Sequence, residues 1–466
     1  MTATAPSTSR AEEFARPYVV SWNLTYRCNL ACEHCYLDAG GKPEVGTENF
    51  ADRSELGTEE CFKVIDEIAA FAPECVTILT GGEPLLRRDI LEIVKRAAER
   101  ELWVVIGTNG VKITENLSMR LKDAGARGLS LSLDALDPDR HDAFRRVRGA
   151  WKNTVEGAQI LHKTGLPFIV QTTAGSHNIG ELEAIADFAH DRLGAKVWNL
   201  YFLVPTGRGQ FVSDITPAQY DEVLASLFRI QTKYKGRMLV NAKCAPHYIK
   251  TILENDGTQI RTYSGGAGGC PAGTHYMGIR PNGDVTPCPY LPVFAGTLRN
   301  ASLADLWTSS ELFTDIRRRN SLGGRCGECE MNSHCGGCRA RAYGMSGDLM
   351  AEDPLCTHTP GKFAESPLLT LRGADPAGPP SPLRGFGGTP PLIEYGGEAA
   401  ATIAWDDEAA ARMKKIPAFV RGMVMRAVEE TCRKNGLDRV TVEELEKIRA
   451  RMPTPKIFGQ SGAPKF

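Results

Sequence analysis

Ten of the 14 cysteines in this 466-residue chain fall into three groups: Cys28, Cys32 and Cys35; Cys270 and Cys288; and Cys326, Cys329, Cys335, Cys338 and Cys356. Thiols used as small hydrophobes would scatter, as Cys61, Cys75 and Cys432 do within apolar segments. Grouped thiols in a chain without an export signal read as metal ligands rather than disulfides. Residues 1–16 hold no apolar core segment, so a flexible tail and a cytoplasmic protein are expected.

Between the first two groups the pattern alternates strand and helix. Apolar, β-branched runs occur at Tyr18–Leu24, Cys75–Leu79, Leu102–Ile106, Gly128–Leu133, Pro167–Thr172 and Lys196–Val204. Intervening stretches carry helical period: Ile90, Ile93, Val94 and Ala97 share one face, and so do Phe62, Ile65, Ile68 and Ala69. Six βα units predict an α/β fold with a parallel sheet over residues 17–240, curled into a barrel or wound on both faces. The unusual residues follow the strands, at Arg27–Cys35, Gly81–Pro84, Thr108–Gly110 and Asp134–Asp139. Loops at the carboxyl ends of strands are where a barrel places its active site.

From 241 to 362 Gly, Pro and Cys replace the periodicity, and metal could supply the folding energy that burial lacks. Residues 363–400 (GADPAGPPSPLRGFGGTPP and flanks) read as a linker. Residues 401–466 predict a small helical module, with helices at Asp407–Lys415, Pro417–Asn435 and Val442–Met452. The net charge of −1 gives no support for nucleic-acid binding, and no apolar run reaches the ~18 residues of a membrane span.

The segment Cys28-Asn-Leu-Ala-Cys32-Glu-His-Cys35-Tyr36 follows the first strand with Cys-x3-Cys-x2-Cys spacing. Three thiolates hold three irons of a cubane and leave the fourth open to a small molecule. Zinc is the alternative and would want a fourth ligand, for which His34 is the nearby candidate. Together with Thr80-Gly81-Gly82-Glu83-Pro84 after the second strand, the segment resembles the radical S-adenosylmethionine (SAM) superfamily. That resemblance implies a partial (βα)6 barrel, a SAM-binding [4Fe–4S] cluster on Cys28, Cys32 and Cys35, and SAM as cofactor. It implies SAM contacts from Tyr36, Gly81, Gly82, Glu83, Pro84, Asn109, Ser132 and Arg145. Reductive cleavage of SAM would then give a 5′-deoxyadenosyl radical, with flavodoxin or ferredoxin as electron donor. Arg145 belongs to the basic run Arg145, Arg146 and Arg148, so a solvated surface arginine is the alternative.

The later cysteines, Cys270-x12-Gly283-x4-Cys288 and Cys326-x2-Cys329-x5-Cys335-x2-Cys338 followed by Cys356, are similar to the SPASM extension of such enzymes. The extension implies one or two auxiliary [4Fe–4S] clusters. Cys326, Cys329, Cys335 and Cys356 would hold one, and Cys270, Cys288 and Cys338 the other, with Cys244 or the substrate as a fourth ligand. Zinc at Cys326–Cys338 is the alternative there. Tyr201–Gly209, Cys244–Tyr248 and Cys338–Tyr343 resemble the haem b and haem d1 biosynthesis branch, whose members modify carboxylate side chains of an iron tetrapyrrole. In that reading Arg208, Arg339 and Arg341 pair with substrate carboxylates, or serve the cofactors, and His247 is a candidate axial ligand. Trp405 to Met452 resembles a module of light-independent protochlorophyllide reductase. The competing readings are a SPASM-type peptide maturase forming carbon–carbon or thioether links, and an iron–sulfur electron carrier.

Overall fold

The computed structural model describes residues 14–40, 54–212, 215–255, 269–366, 369, 401–414 and 418–451. The expected tail up to residue 13, the linker from 370 to 400 and the break at Pro417 lie outside the described residues.

Seven parallel strands form the centre: β1 (Val19–Asn23), β2 (Val76–Thr80), β3 (Trp103–Thr108), β4 (Gly128–Ser132), β5 (Phe168–Ala174), β6 (Val197–Phe202) and β7 (Leu239–Lys243). Helices α1 (Thr58–Phe71), α2 (Ile90–Glu99), α3 (Glu115–Asp123), α4 (Pro138–Arg145), α5 (Ala150–Thr164), α6 (Leu182–Asp187) and α7 (Pro217–Tyr234) make the crossovers. The six expected strands are all present, and the sheet runs on through β7 past residue 240. On α2 the buried residues are Ile90, Ile93, Val94 and Ala97, as the periodicity predicts. On α1 they are Cys61, Val64, Ile65 and Ile68, so the buried face is turned from the expected one and Phe62 and Ala69 lie at its edge.

The sheet also extends on its other side. β8 (Tyr276–Ile279) pairs parallel with β1 (Val19↔Tyr276), and β9 (Asp284–Thr286) and β10 (Gly296–Thr297) continue antiparallel. The cysteine-rich segment therefore covers the β1 edge of the barrel. A smaller unit at 401–451 pairs β11 (Ala404–Trp405) with β12 (Arg439–Val440) and adds the expected helices around Ala409, Val428, Cys432, Val440 and Ile448.

Strand alternation explains where the cavity lies. In β5, Phe168, Val170, Thr172 and Ala174 are buried, while Ile169, Gln171 and Thr173 alternate with them, and Gln171 and Thr173 line a cavity. A parallel sheet covered on both faces would be apolar on both. Here the inner face near the carboxyl ends carries Ser21, Thr80, Ser130, Ser132, Gln171 and Tyr201. The barrel interior is built for a ligand.

Candidate active site

Cys28, Cys32 and Cys35 line part of an open cavity. Their loop leaves β1 and docks on the end of α4, where Ala31 and Glu33 donate their N–H groups to the Arg145 and Phe144 carbonyls at 3.3 and 3.0 Å. Each sulfur accepts an N–H: Cys28 from Leu30 at 3.4 Å, Cys35 from Ala39 at 3.3 Å, and Cys32 from Arg145 Nη1 at 3.5 Å. Donors aimed at sulfur stabilise thiolates and tune a cluster bound to them, so the loop fits the iron–sulfur group its spacing implies. Burial pushes the Cys28 thiol up to about 12, a cost that a coordinated metal ion removes by deprotonating the thiol outright. His34 does not complete a tetrahedral set on this loop. Its ring is stacked on Phe144 at 4.5 Å, and Phe144 on His177 at 4.0 Å.

The loop is held by Arg208, which also lines the cavity. Its Nε donates to the Cys32 carbonyl at 2.9 Å, Nη2 to the Ala39 carbonyl at 2.8 Å, and Nη1 to Asp38 at 2.7 Å. Arg145 is likewise buried and paired with Asp134, with Nε at 2.7 Å from Oδ2. The alternative of a solvated Arg145 is overturned. Although burial works the other way, the guanidinium holds the Asp134 carboxyl down at about 2.

Gly81 and Gly82 line the cavity, but their lack of side chains serves the cysteine loop. A Cβ on Gly82 would stand 2.3 Å from the Arg27 carbonyl oxygen, and one on Gly81, at φ +137°, 2.8 Å from that of Thr25. Gly82 and Glu83 donate to those same carbonyls at 2.7 and 2.8 Å. The two loops thus form one backbone unit. The structure does not bring Glu83 and Pro84 to the cavity wall. Glu83 is fully buried and its oxygens accept from Leu85 N, Thr108 Oγ1 and Asn109 N at 2.8–3.1 Å. Burial raises its carboxyl to about 7. Asn109, Ser132 and Tyr36 do line the cavity, and beside them stands Ser130, whose buried hydroxyl has no partner among the described residues.

Part of the cavity lining is aromatic and begins beside the cysteines, where Tyr36 packs with Cys28 and Cys35. Tyr36 and Tyr290 lie 4.6 Å apart between ring centroids, Tyr201 is 6.5 Å from Tyr290, and Tyr276 completes the group. Sequence reading singled out Tyr36 as a cofactor contact and Tyr201 only as the start of the Tyr201–Gly209 stretch. Tyr276 and Tyr290 arrive through the β8 pairing and have no local signal.

A second, small cavity is lined by Cys326, Cys329, Cys335 and Cys356. Met331 N and Gly337 N donate to the Cys329 and Cys335 sulfurs at 3.4 and 3.5 Å, the same device as in the first loop. Glu330 ties the Cys329 and Cys356 segments together, accepting from His358 Nε2, Gly361 N and Phe363 N at 2.9, 2.7 and 2.8 Å. A separate buried group holds Cys270, Cys288 and Cys338, with Cys244 packed against it. Asp353 stands between the two sets and accepts from Cys338 N at 2.7 Å and Arg341 Nη1 at 2.9 Å.

Pairing of substrate carboxylates with Arg208, Arg339 and Arg341 is not supported by this geometry. All three are buried; Arg339 Nη1 donates to the Leu349 and Ala351 carbonyls and Arg341 to Asp353 and the Cys244 carbonyl, and neither lines the two cavities described, while Arg208 lines the first with its donors held by the cysteine loop. An axial role for His247 fails similarly, because it lines the second cavity and its Nδ1 meets Tyr220 OH at 3.1 Å.

Family models match the chain in three places: the radical SAM superfamily over residues 22–189, an iron–sulfur cluster-binding domain over 270–338, and the proto-chlorophyllide reductase 57 kD subunit over 405–449. An AdoMet-dependent haem synthase from Methanosarcina barkeri is 36% identical over 74% of this chain and 98% of its own length. The mycofactocin maturase MftC of Mycobacterium tuberculosis is 31% identical over 76% of this chain and 87% of its own. The crystal structure of Streptococcus suis SuiB bound to S-adenosylmethionine superimposes with a TM-score of 0.58 at 17% identity, covering 74% of this chain and 78% of that one, which shows the shared fold.

Proposed function

The chain belongs to the radical SAM superfamily, with an iron–sulfur SPASM extension, and from that premise we propose that it modifies carboxylate side chains of an iron tetrapyrrole, as in oxidative decarboxylation of propionates. The likeness to a haem synthase over nearly that protein's whole length carries the reading. The cavity lined by both cysteines and tyrosines agrees with it, since a flat macrocycle stacks on aromatic rings. The 31% likeness to a peptide maturase supports peptide cross-linking as the second reading.

Cys28, Cys32 and Cys35 are assigned to the SAM cluster, Cys326, Cys329, Cys335 and Cys356 to one auxiliary cluster, and Cys270, Cys288 and Cys338 to another. A cluster held by Cys28, Cys32 and Cys35 would supply the one electron that splits SAM into methionine and a 5′-deoxyadenosyl radical, the species able to take hydrogen from an unactivated C–H bond. Asn109, Ser132 and Tyr36 contribute polar groups to the SAM side of the cavity. The open hydroxyl of Ser130 gives a further acceptor or donor there. Arg145 keeps a positive charge beside Cys32, and the tyrosine wall orients the substrate and excludes water. A flavodoxin or ferredoxin as electron source and a cytoplasmic location complete the reading; among the described residues no helix is long and apolar enough to cross a membrane.

Binding tests the substrate class. The reconstituted protein is titrated anaerobically with iron-coproporphyrin, didecarboxysirohaem and a control peptide pool. A saturable shift of the tetrapyrrole absorbance supports the reading, and binding of peptide alone favours the maturase.

A further inference from the structure

We propose that Lys243 is the cation that receives a carboxylate side chain of the substrate, a binding residue beside the tyrosines of the first cavity. The proposal rests on the reading that the substrate is a tetrapyrrole carrying such side chains.

The register of the sheet gives the position. Thr173, Tyr201 and Lys243 are successive partners across β5, β6 and β7, so their side chains share one face. Thr173 and Tyr201 line the first cavity, which makes this the cavity-facing side of the sheet. One row earlier Gln171, Asn199 and Asn241 occupy the same face. There Asn241 Nδ2 donates to Asn199 Oδ1 at 2.9 Å, so side chains of β6 and β7 do meet on it. Lys243 is the last residue of β7, at the carboxyl ends of the strands. It does not itself line the cavity. Its backbone stands one strand beyond Tyr201, ~4.8 Å away, a gap that a four-carbon stem can span.

The charge at this position is uncommitted. Among the described residues the Lys243 ammonium makes no hydrogen bond or ion pair, and the Cys244 thiol is the one ionisable group that acts on it. The side chain is nevertheless half-buried. A cation drawn away from water without a counter-charge is costly, and an anion arriving with a ligand removes that cost. The two guanidinium groups that line the cavity are already paired, Arg145 with Asp134 and Arg208 with Asp38. A macrocycle resting on Tyr36, Tyr201 and Tyr290 would thus find its carboxylates unmatched at the cavity wall, whereas an arm extended past Tyr201 reaches Lys243. A point charge on a flexible stem suits a flexible carboxylate arm, which does not demand the fixed fork of an arginine.

The test is anaerobic absorbance titration of the reconstituted full chain with iron-coproporphyrin and with the same macrocycle whose propionates are converted to primary amides. The unsubstituted chain should bind the acid more tightly than the amide, and equal Kd values overturn the assignment. Lys243→Met should weaken binding of the acid about tenfold, the effect of losing a hydrogen bond to a charged group, and leave the Kd of the amide unchanged. Lys243→Arg should restore most of the affinity for the acid. Iron and sulfide counts equal to those of the unsubstituted chain show that a variant is folded, and Lys243→Gln replaces Lys243→Met if the latter falls short. An unchanged Kd for the acid, or an equal loss for acid and amide, overturns the assignment. Unchanged binding with a shifted reduction potential of an auxiliary cluster would do the same, giving the charge to the cysteine group against which Cys244 packs. If the unsubstituted chain binds neither macrocycle, the tetrapyrrole reading itself fails, and the role of Lys243 with it.

Discussion

Arg145 reaches across 113 positions of sequence to donate from Nη1 to the Cys32 sulfur at 3.5 Å. The same side chain neutralises Asp134, which has no exposure to solvent. One guanidinium thus joins the end of α4, the loop after β4 and the middle cysteine of the first loop.

Removing that charge strands a buried carboxylate. Arg145→Gln should cost about 3–5 kcal/mol at neutral pH, the penalty typical of breaking a buried pair, read as a lower denaturant midpoint. Asp134 has its folded pKa depressed to about 2 from an unfolded ~3.9. The stability it contributes is therefore present above ~3.9 and lost as pH falls through about 2. Arg145→Gln combined with Asp134→Asn should regain part of the loss and remove this acid limb.

Glu83 titrates in the opposite sense. Its folded pKa of about 7 lies above the unfolded ~4.3, so the folded state binds the extra proton and stability falls as pH rises between those values. Glu83→Gln should flatten that slope in denaturation midpoints taken across the window. It should also cost about 1–3 kcal/mol, because its amide cannot accept from all the N–H and O–H donors that meet the carboxylate.

Arg208 separates a structural from a substrate role. If it fastens the cysteine loop, Arg208→Met lowers cluster content and shortens its lifetime in air while the substrate KM of the remaining holoenzyme holds. Lysine should not rescue it, since a single ammonium cannot span Cys32 O, Ala39 O and Asp38. A normal cluster with a raised KM would return Arg208 to substrate binding.

The tyrosine wall predicts a selective binding defect. Tyr290→Ala should weaken tetrapyrrole binding about two- to tenfold, the value of an aromatic contact of ~0.5–1.5 kcal/mol. Substrate-free SAM cleavage should be unchanged. An unaltered Kd by absorbance titration would place the macrocycle elsewhere.

Much of this was legible before any coordinates. The strands of residues 17–204, the cysteine groups and the helices of the C-terminal unit all carry local pattern, either period or spacing. The rest depends on contacts that no local pattern encodes. β8, β9 and β10 are four, three and two residues long and find their place only by pairing outward from β1. Glu83 sits in a motif that suggested a ligand contact, but its neighbours Thr108 and Asn109 come from the next strand end and absorb it. The arginines singled out for substrate meet partners such as Asp38, 170 positions from Arg208. The Cys326, Cys329, Cys335 and Cys356 set came with the resemblance to the SPASM extension, and these four line one cavity in the structure.

The most direct measurement is anaerobic turnover of the reconstituted full chain with SAM, a reductant and iron-coproporphyrin, followed by mass spectrometry of both SAM products and tetrapyrrole, with Cys32→Ala as control. The expected result is 5′-deoxyadenosine formed together with a tetrapyrrole lighter by lost carbon dioxide, and neither product from Cys32→Ala. Formation of 5′-deoxyadenosine only with the peptide pool, or its persistence in Cys32→Ala, would contradict the assignment.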